Sequence, residues 1–165
     1  MNVMSVGELH AQLAGDIASA VEGEVKAYCE QVLRKHIMRS VYSGGGSQYY
    51  NRTYQFLNAV EVTDVHKSGS SVSFKITINS SKMGIASSLG KGFNVHMGFP
   101  SRGGGMGANM TDGLAEVLND GITSRIVPRR KAARFFESAT SELDGSLAGK
   151  LAGALRARGW EARVI

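Results

Sequence analysis

The sequence predicts an α+β domain in which two long helices pack on a small, mostly antiparallel β-sheet. Two segments with helical periodicity, one toward each end of the chain, and one strictly alternating segment between them indicate this class. The chain has 165 residues, which fits a single domain covering 1–165. With 42% apolar and 20% charged residues, the composition is that of a globular protein and argues against wholesale disorder, collagen and a membrane protein.

The first helix is predicted from about residue 6 to residue 41, because apolar residues recur there every three to four positions. Ser43 and the glycines 44–46 then end it. A helix of this length spans roughly 50 Å, which is more than a domain of this size needs for its own core. Two interpretations stay open: part of the helix packs on another chain, or it kinks at Gly15 or Gly23 and packs within its own chain.

A hairpin is predicted at about residues 58–78, where apolar and polar residues alternate on both sides of a Ser/Gly-rich turn at 67–71. A long Gly-rich loop follows at about residues 80–110, with a short strand expected around Phe93–Met97. A segment this long with so little periodicity is more than a connection in a compact domain requires. The loop is therefore either disordered or held by a partner.

A short helix is predicted next, capped by Thr111 or Asp112 and closed by Gly121 after Asp120. The second long helix is predicted at about residues 131–157 from its apolar stripe. Trp160–Ile165 is an apolar tail that could add a strand. Within the second long helix, three glycines at four-residue spacing form a flat strip for the close approach of another helix, or else mark a frayed C-terminal half. These glycines are Gly145, Gly149 and Gly153.

The chain offers few residues for catalysis, so we expect no enzyme activity, no metal site and no cofactor. No His-Glu-x-x-His pair, nucleophile elbow or phosphate-binding motif occurs, and the four histidines stand apart in the sequence. Cys29 is the only cysteine, which excludes an intramolecular disulfide and makes core packing its expected role. The N-terminus lacks the layout of a secretory signal, so synthesis in the cytoplasm is expected.

The excess positive charge lies in the last quarter of the chain. Residues 1–124 hold ten basic and ten acidic side chains, whereas residues 125–165 hold nine basic and four acidic ones. A basic segment at 125–134 could contact DNA phosphates or serve as a subunit-pairing patch. Its cationic residues are Arg125, Arg129, Arg130, Lys131 and Arg134.

One motif resembles a known family. After Val41-Tyr42 and a Gly/Ser spacer comes Tyr50-x-Arg52-Thr53-x-x-Phe56-Leu57-x-x-Val60, which is similar to the tyrosine, Arg-Thr and apolar pattern of tail-completion (neck) proteins of tailed bacteriophages. The order of elements is also similar, with a long helix before the motif and a hairpin, loop and final helix after it. Two details differ from that family. This chain has glycines 44–46 where the family often has a proline, and the family's usual Pro-Phe segment before the last helix is split here into Pro128 and Phe135.

The resemblance implies a virion structural protein, made in the host cytoplasm, that forms a ring in the neck between head connector and tail. Such rings are commonly hexamers, contact connector or adaptor and tail-tube or tail-terminator proteins, and let DNA pass through the lumen. Tyr50, Arg52 and Thr53 would then lie at an assembly or junction site, where Arg52 and Thr53 fix the helix-to-hairpin junction within one chain or contact a neighbouring subunit. The alternative from another class is a small basic DNA-binding protein that uses residues 125–134.

Overall fold

The computed structural model describes residues 5–43, 54–68, 71–82, 114–121 and 131–165. It contains two long helices and a two-stranded antiparallel sheet, which confirms the α+β class. Of the predicted Gly-rich loop, only the 3-10 turn Ser80–Lys82 belongs to the described residues, and the expected strand at 93–97 lies outside them.

The first helix runs from residue 6 to residue 41, as predicted, in three joined parts. These are α1 (Val6–Ala20), one π-helical turn (Val21–Val25) and α2 (Lys26–Val41), and we call them together the long helix. A capping box starts it: Glu8 N–H donates to Ser5 Oγ at 3.2 Å, and Ser5 N–H donates to Glu8 Oε2 at 2.7 Å. The helix therefore begins on local hydrogen bonds alone.

The π turn contains Gly23, one of the two positions at which a kink was considered, while α1 passes through Gly15 without interruption. The apolar side chains within this turn and after it belong to the same core, since Val21, Val25 and Cys29 are all buried in one cluster. The burial is uneven along the helix. The first two turns, residues 5–12, are exposed throughout, and full burial begins only at Ala20.

The hairpin consists of β1 (Val60–Ser68) and β2 (Ser71–Ile78), paired antiparallel with Val60 opposite Ile78. The predicted start at residue 58 is wrong, because Asn58 ends a one-turn helix, α3 (Gln55–Asn58). A bulge interrupts the register of β1 after Thr63, at Asp64 with its φ of 53°. The extra residue keeps Asp64 off the apolar face and lets Val65 follow Val62 there.

The second long helix, α5 (Phe135–Ala157), ends where predicted but begins four residues later than the predicted Lys131. Backbone hydrogen bonds to α4 (Leu114–Asp120) explain the difference. Ala133 N–H donates to the Leu118 carbonyl at 3.2 Å, and Arg134 N–H donates to the Asn119 carbonyl at 3.0 Å. These bonds hold Arg134 in the left-handed region at φ 51°, outside the helix.

The buried side chain of Asn119 provides the cap that the chain before α5 lacks. Its Oδ1 accepts the Phe136 N–H at 3.0 Å, and its Nδ2 donates to Glu137 at 3.0 Å. α4 itself ends at Gly121 with φ 81°, as predicted, whereas its predicted cap residues Thr111 and Asp112 lie outside the described residues.

The predicted C-terminal strand is wrong, because residues 160–165 form no strand. Gly159 turns the chain after α5 with φ 90°, and the indole of Trp160 then donates to Asp16 Oδ2 at 2.8 Å. The tail lies against the long helix instead of extending the sheet.

The core lies where α2 meets α5 and the hairpin. Phe135 is fully buried at the start of α5, and its ring meets that of Phe56 edge-on with centroids 5.8 Å apart. Residues from every described helix and from β1 complete this core, and the largest fully buried side chains are Phe135, Leu33, Ile37, Val25, Val60 and Cys29.

We expect Phe135→Ala to lower the free energy of unfolding by about 3–5 kcal/mol, because it removes a ring from a fully packed site. Urea denaturation followed by circular dichroism measures this. Phe136→Ala is the matched control: its ring is only half-buried, so its cost must be clearly smaller. Equal costs for the two variants would contradict the placement of Phe135 at the centre of the core.

Candidate functional site

The structure describes only part of the predicted site residues. Tyr50, Arg52 and Thr53 of the motif, and Arg125, Arg129 and Arg130 of the basic segment, lie outside the described residues. Lys131, Arg134 and the three glycines of α5 lie within them. The apolar end of the motif is also described: Phe56 and Val60 are buried, and Leu57 is half-buried.

The helix-to-hairpin junction is held by two side chains of α2 that sequence analysis did not single out. Arg34 donates to the Val60 carbonyl at 2.8 Å and to the Leu57 carbonyl at 3.4 Å. Glu30 accepts the Val62 N–H at 3.1 Å and pairs with Arg34 at 3.1 Å. The Glu30/Arg34 spacing of four residues is a helical ion-pair signal, but it does not reveal that the pair binds the backbone of β1.

Two stacked tyrosines lie on either side of segment 44–53, which contains the first part of the motif. The rings of Tyr42 and Tyr54 lie 5.0 Å apart between centroids with planes inclined by 28°. Tyr54 has a left-handed backbone at φ 55° and precedes α3. The residues on either side of segment 44–53, which contains Tyr50, Arg52 and Thr53, are therefore held together.

Polar contacts join the long helix to α5 and to the residues directly after it. The partners run in opposite sequence order, so the two helices are antiparallel. At one end Trp160 binds Asp16, and near the other Glu142 receives hydrogen bonds from two residues of α2. In order, the contacts are Asp16–Trp160, Glu24–Arg158, Tyr28–Ser146 and Glu142 with Lys35 and His36.

We call this row of contacts the polar seam. Glu142 is the carboxylate that binds α2 in it. It forms a short contact with Lys35 Nζ, and its Oε2 lies 2.8 Å from His36 Nε2. The hydrogen bond from Lys35, followed by that from His36, lowers the pKa of the Glu142 carboxyl below its usual value of 4.5. At the other end of the seam Arg158 likewise lowers the pKa of Glu24.

The glycine strip of α5 faces solvent. Gly145, Gly149 and Gly153 are all exposed, and a Cβ built on any of them meets no atom within 4 Å. Close packing of another helix of the same chain on this strip is therefore not found among the described residues. The helix is regular through all three glycines to Ala157.

The described part of the basic segment is largely compensated. Arg134 pairs with Glu137 at 2.7 Å and lies 3.7 Å from Asp120, so its guanidinium faces two carboxylates. These contacts, the Glu137 hydrogen bond above all, raise the pKa of Arg134 and lower that of Glu137. Lys131 is exposed and forms no ion pair within the described ranges.

Groups suited to chemistry do not converge in the part of the chain that the structure describes. Among those residues, no three His, Cys, Asp or Glu side chains are placed to hold a metal ion. The Cys29 thiol is buried, and desolvation raises its pKa to about 11, so it stays protonated at neutral pH. No described helix combines the length and apolarity that a membrane span requires.

No protein-family model, curated protein or solved structure matches this chain. The resemblance to phage neck proteins therefore rests on the motif and on the order of elements, and it remains a prediction. The geometry adds one independent feature: several surfaces of the two long helices are left uncovered by the described residues.

Replacing Glu30 by Ala tests the junction. The change leaves the Val62 N–H without its acceptor and removes the carboxylate partner of Arg34, so we expect a loss of about 1–3 kcal/mol in the free energy of unfolding. Gln31→Ala, at the exposed neighbouring position, is the control and costs less. Hydrogen exchange of the β1 amides must increase with Glu30→Ala and not with the control. Unchanged protection of the Val62 amide would refute the proposed role of Glu30 at the junction.

A second prediction concerns pH. Because the pKa of Glu142 lies below 4.5 in the folded chain, its contribution to stability is present above that value and is lost as the pH falls below it. Glu142→Gln should therefore lower Tm at pH 6, and the gap to the parent protein should close as the pH approaches 3. Asp144→Asn, an exposed neighbour, serves as the control in thermal melts. A gap that stays constant down to pH 3 would rule out the ion pair.

Proposed function

We propose that this protein is a structural component of the neck of a tailed bacteriophage, where it assembles as a six-fold ring between head connector and tail. Its partners would be copies of itself, a connector or adaptor protein, and a tail-tube or tail-terminator protein, with DNA passing through the lumen. Its work would be assembly rather than catalysis, and its location the virion.

The observation that carries this proposal is the uncovered start of the long helix. Residues 5–12 are all exposed, although the apolar stripe continues into them, with Val6 and Leu9 exposed by 72% and 44%. At about 1.5 Å per residue this segment extends roughly 12 Å. We call it the helix overhang. An amphipathic segment that its own core leaves uncovered is suited to a partner surface.

The glycine strip supports the same proposal. Each glycine costs a helix roughly 1 kcal/mol relative to Ala, and no described residue uses the space that these three leave. A contact with a neighbouring subunit would use it. The contacts of Glu30 and Arg34 with the start of the hairpin, together with the Tyr42–Tyr54 stack, fix the described residues on both sides of the segment that contains Tyr50, Arg52 and Thr53.

The DNA-binding alternative has less support among the described residues. Arg134 is engaged by Glu137 and Asp120, so a DNA phosphate would have to compete with two carboxylates. A ring that conducts DNA also benefits from weak, salt-sensitive attraction to phosphates. Basic residues at 125–131 are therefore compatible with both candidate functions, and the affinity for DNA distinguishes the two functions.

Light scattering over a concentration series, with negative-stain images of large species, tests the ring. We expect ring-sized oligomers of the parent protein, alone or after addition of a connector. Gly149→Leu should fold as well as the parent, because its side chain enters open space, yet it should abolish the ring. Ala148→Leu adds the same bulk at the adjacent exposed position and should assemble.

A DNA-shift assay at low and high salt is the second arm of this experiment. A protein that never forms rings, with or without connector, but binds DNA tightly and loses this affinity in the double variant Arg129→Ala/Arg130→Ala would overturn the neck proposal. Rings combined with weak, salt-sensitive DNA binding would support it.

A further inference from the structure

The exposed large hydrophobic side chains are divided between the two ends of the antiparallel helix pair. Among the described residues there are six of them, and none lies on the middle of the pair. One group is at the start of α1 and on the C-terminal tail, and the other is at the end of α2. The first group is Val6, Leu9, Val164 and Ile165; the second is Met38 and Tyr54.

Two contacts fix the start of the tail that carries Val164 and Ile165. Trp160 binds Asp16 and Arg158 binds Glu24, so the tail leaves α5 beside the N-terminal half of the long helix. We call this the overhang end. Its exposed apolar surface continues the stripe of the long helix, because Val6 and Leu9 precede the half-buried Leu13 at helical spacing.

Two further contacts place the second group at the opposite end. Tyr54 stacks on Tyr42 just beyond α2, and Phe56 packs on Phe135 at the start of α5. We call this the loop end. Met38 is exposed here by 40%, and Arg39 beside it in α2 and Lys131 before the start of α5 are exposed as well.

The long helix is also polarised in charge between these ends. Its residues 6–25 contain four acidic and no Lys or Arg side chains, whereas residues 26–41 contain four basic and one acidic. Ion pairs reduce this contrast in both halves: Arg158 pairs with Glu24 in the acidic half, and Glu30 and Glu142 pair with Arg34 and Lys35 in the basic half. At the loop end Arg39 and Lys131 form no ion pair within the described ranges.

We propose that the two ends bind each other between copies of this chain: the overhang end of one subunit docks on the loop end of the next. Two different patches, each with exposed apolar side chains and with opposite charge along the long helix, suit a heterologous head-to-tail contact. A two-fold contact needs one self-complementary patch instead. This inference rests on the proposed ring, since head-to-tail contacts that close produce a ring.

Cysteine cross-linking tests the contact. The double variant Leu9→Cys/Met38→Cys is treated with a short bismaleimide, and products are separated under denaturing conditions. The two positions are 29 residues apart in one helix, or roughly 43 Å, so they cannot be linked within one chain. We expect a ladder of covalent multimers whose highest band gives the ring order. Each single-cysteine variant and the parent protein, with only the buried Cys29, should give no ladder.

The outcomes separate this inference from the ring itself. Dimers of Leu9→Cys alone would show a head-to-head contact and overturn the inference. Rings in light scattering without a ladder would also overturn it while leaving the proposed function intact. Failure to form any oligomer, with or without connector, would overturn both.

A charge variant adds a second measurement. Leu9→Asp puts a carboxylate on the apolar stripe of the overhang, at a position outside the core cluster, so thermal stability should change little while oligomers are lost. Ala11→Asp introduces the same charge on the same exposed turns, on the face opposite the stripe, and should still assemble. Equal assembly of the two variants would contradict the proposed contact.

Discussion

Burial of the apolar face of α2 between α5 and the hairpin is the constraint on which the other contacts depend. Cys29, Val32, Leu33 and Ile37 of α2 are almost completely removed from solvent, as is Val25 in the π turn before it. A two-stranded sheet is marginally stable by itself, and helices in proteins gain most of their stability from such packing. The central half of the long helix is therefore the common support for both.

Polar side chains then decide how the other elements sit on this support. Glu30 and Arg34 bind backbone groups of β1 and of the residues before it, and Asn119 binds the backbone N–H of Phe136 in the first turn of α5. In each case a side chain of one element satisfies backbone groups of another, which sets position more narrowly than apolar contact does. Along the other side, the polar seam from Asp16 to Glu142 sets the axial register of α5 on the long helix.

What this packing leaves uncovered bears on function. The helix overhang, the glycine strip and the apolar groups at both ends of the helix pair face solvent, while the described residues contain no convergent catalytic or metal-binding group. Surfaces of this kind suit a protein that acts by contact with copies of itself and with neighbours. The proposed place in a phage neck joins this property to the Tyr50–Arg52–Thr53 motif.

Periodicity in the sequence was enough to determine the class, the bounds of the long helix, the end of α5 and the alternation of β2, because each depends on a local repeat of apolar residues. It failed where tertiary hydrogen bonds overrode the local pattern. α5 begins at Phe135 and not at the predicted Lys131 because α4 binds the preceding backbone. The tail at 160–165 forms no strand, and its Trp160 binds α1 through the hydrogen bond from the indole to Asp16. The junction residues Glu30 and Arg34 escaped detection for the same reason: a helical ion pair is visible in sequence, but the strand that it binds is chosen only when the chain folds.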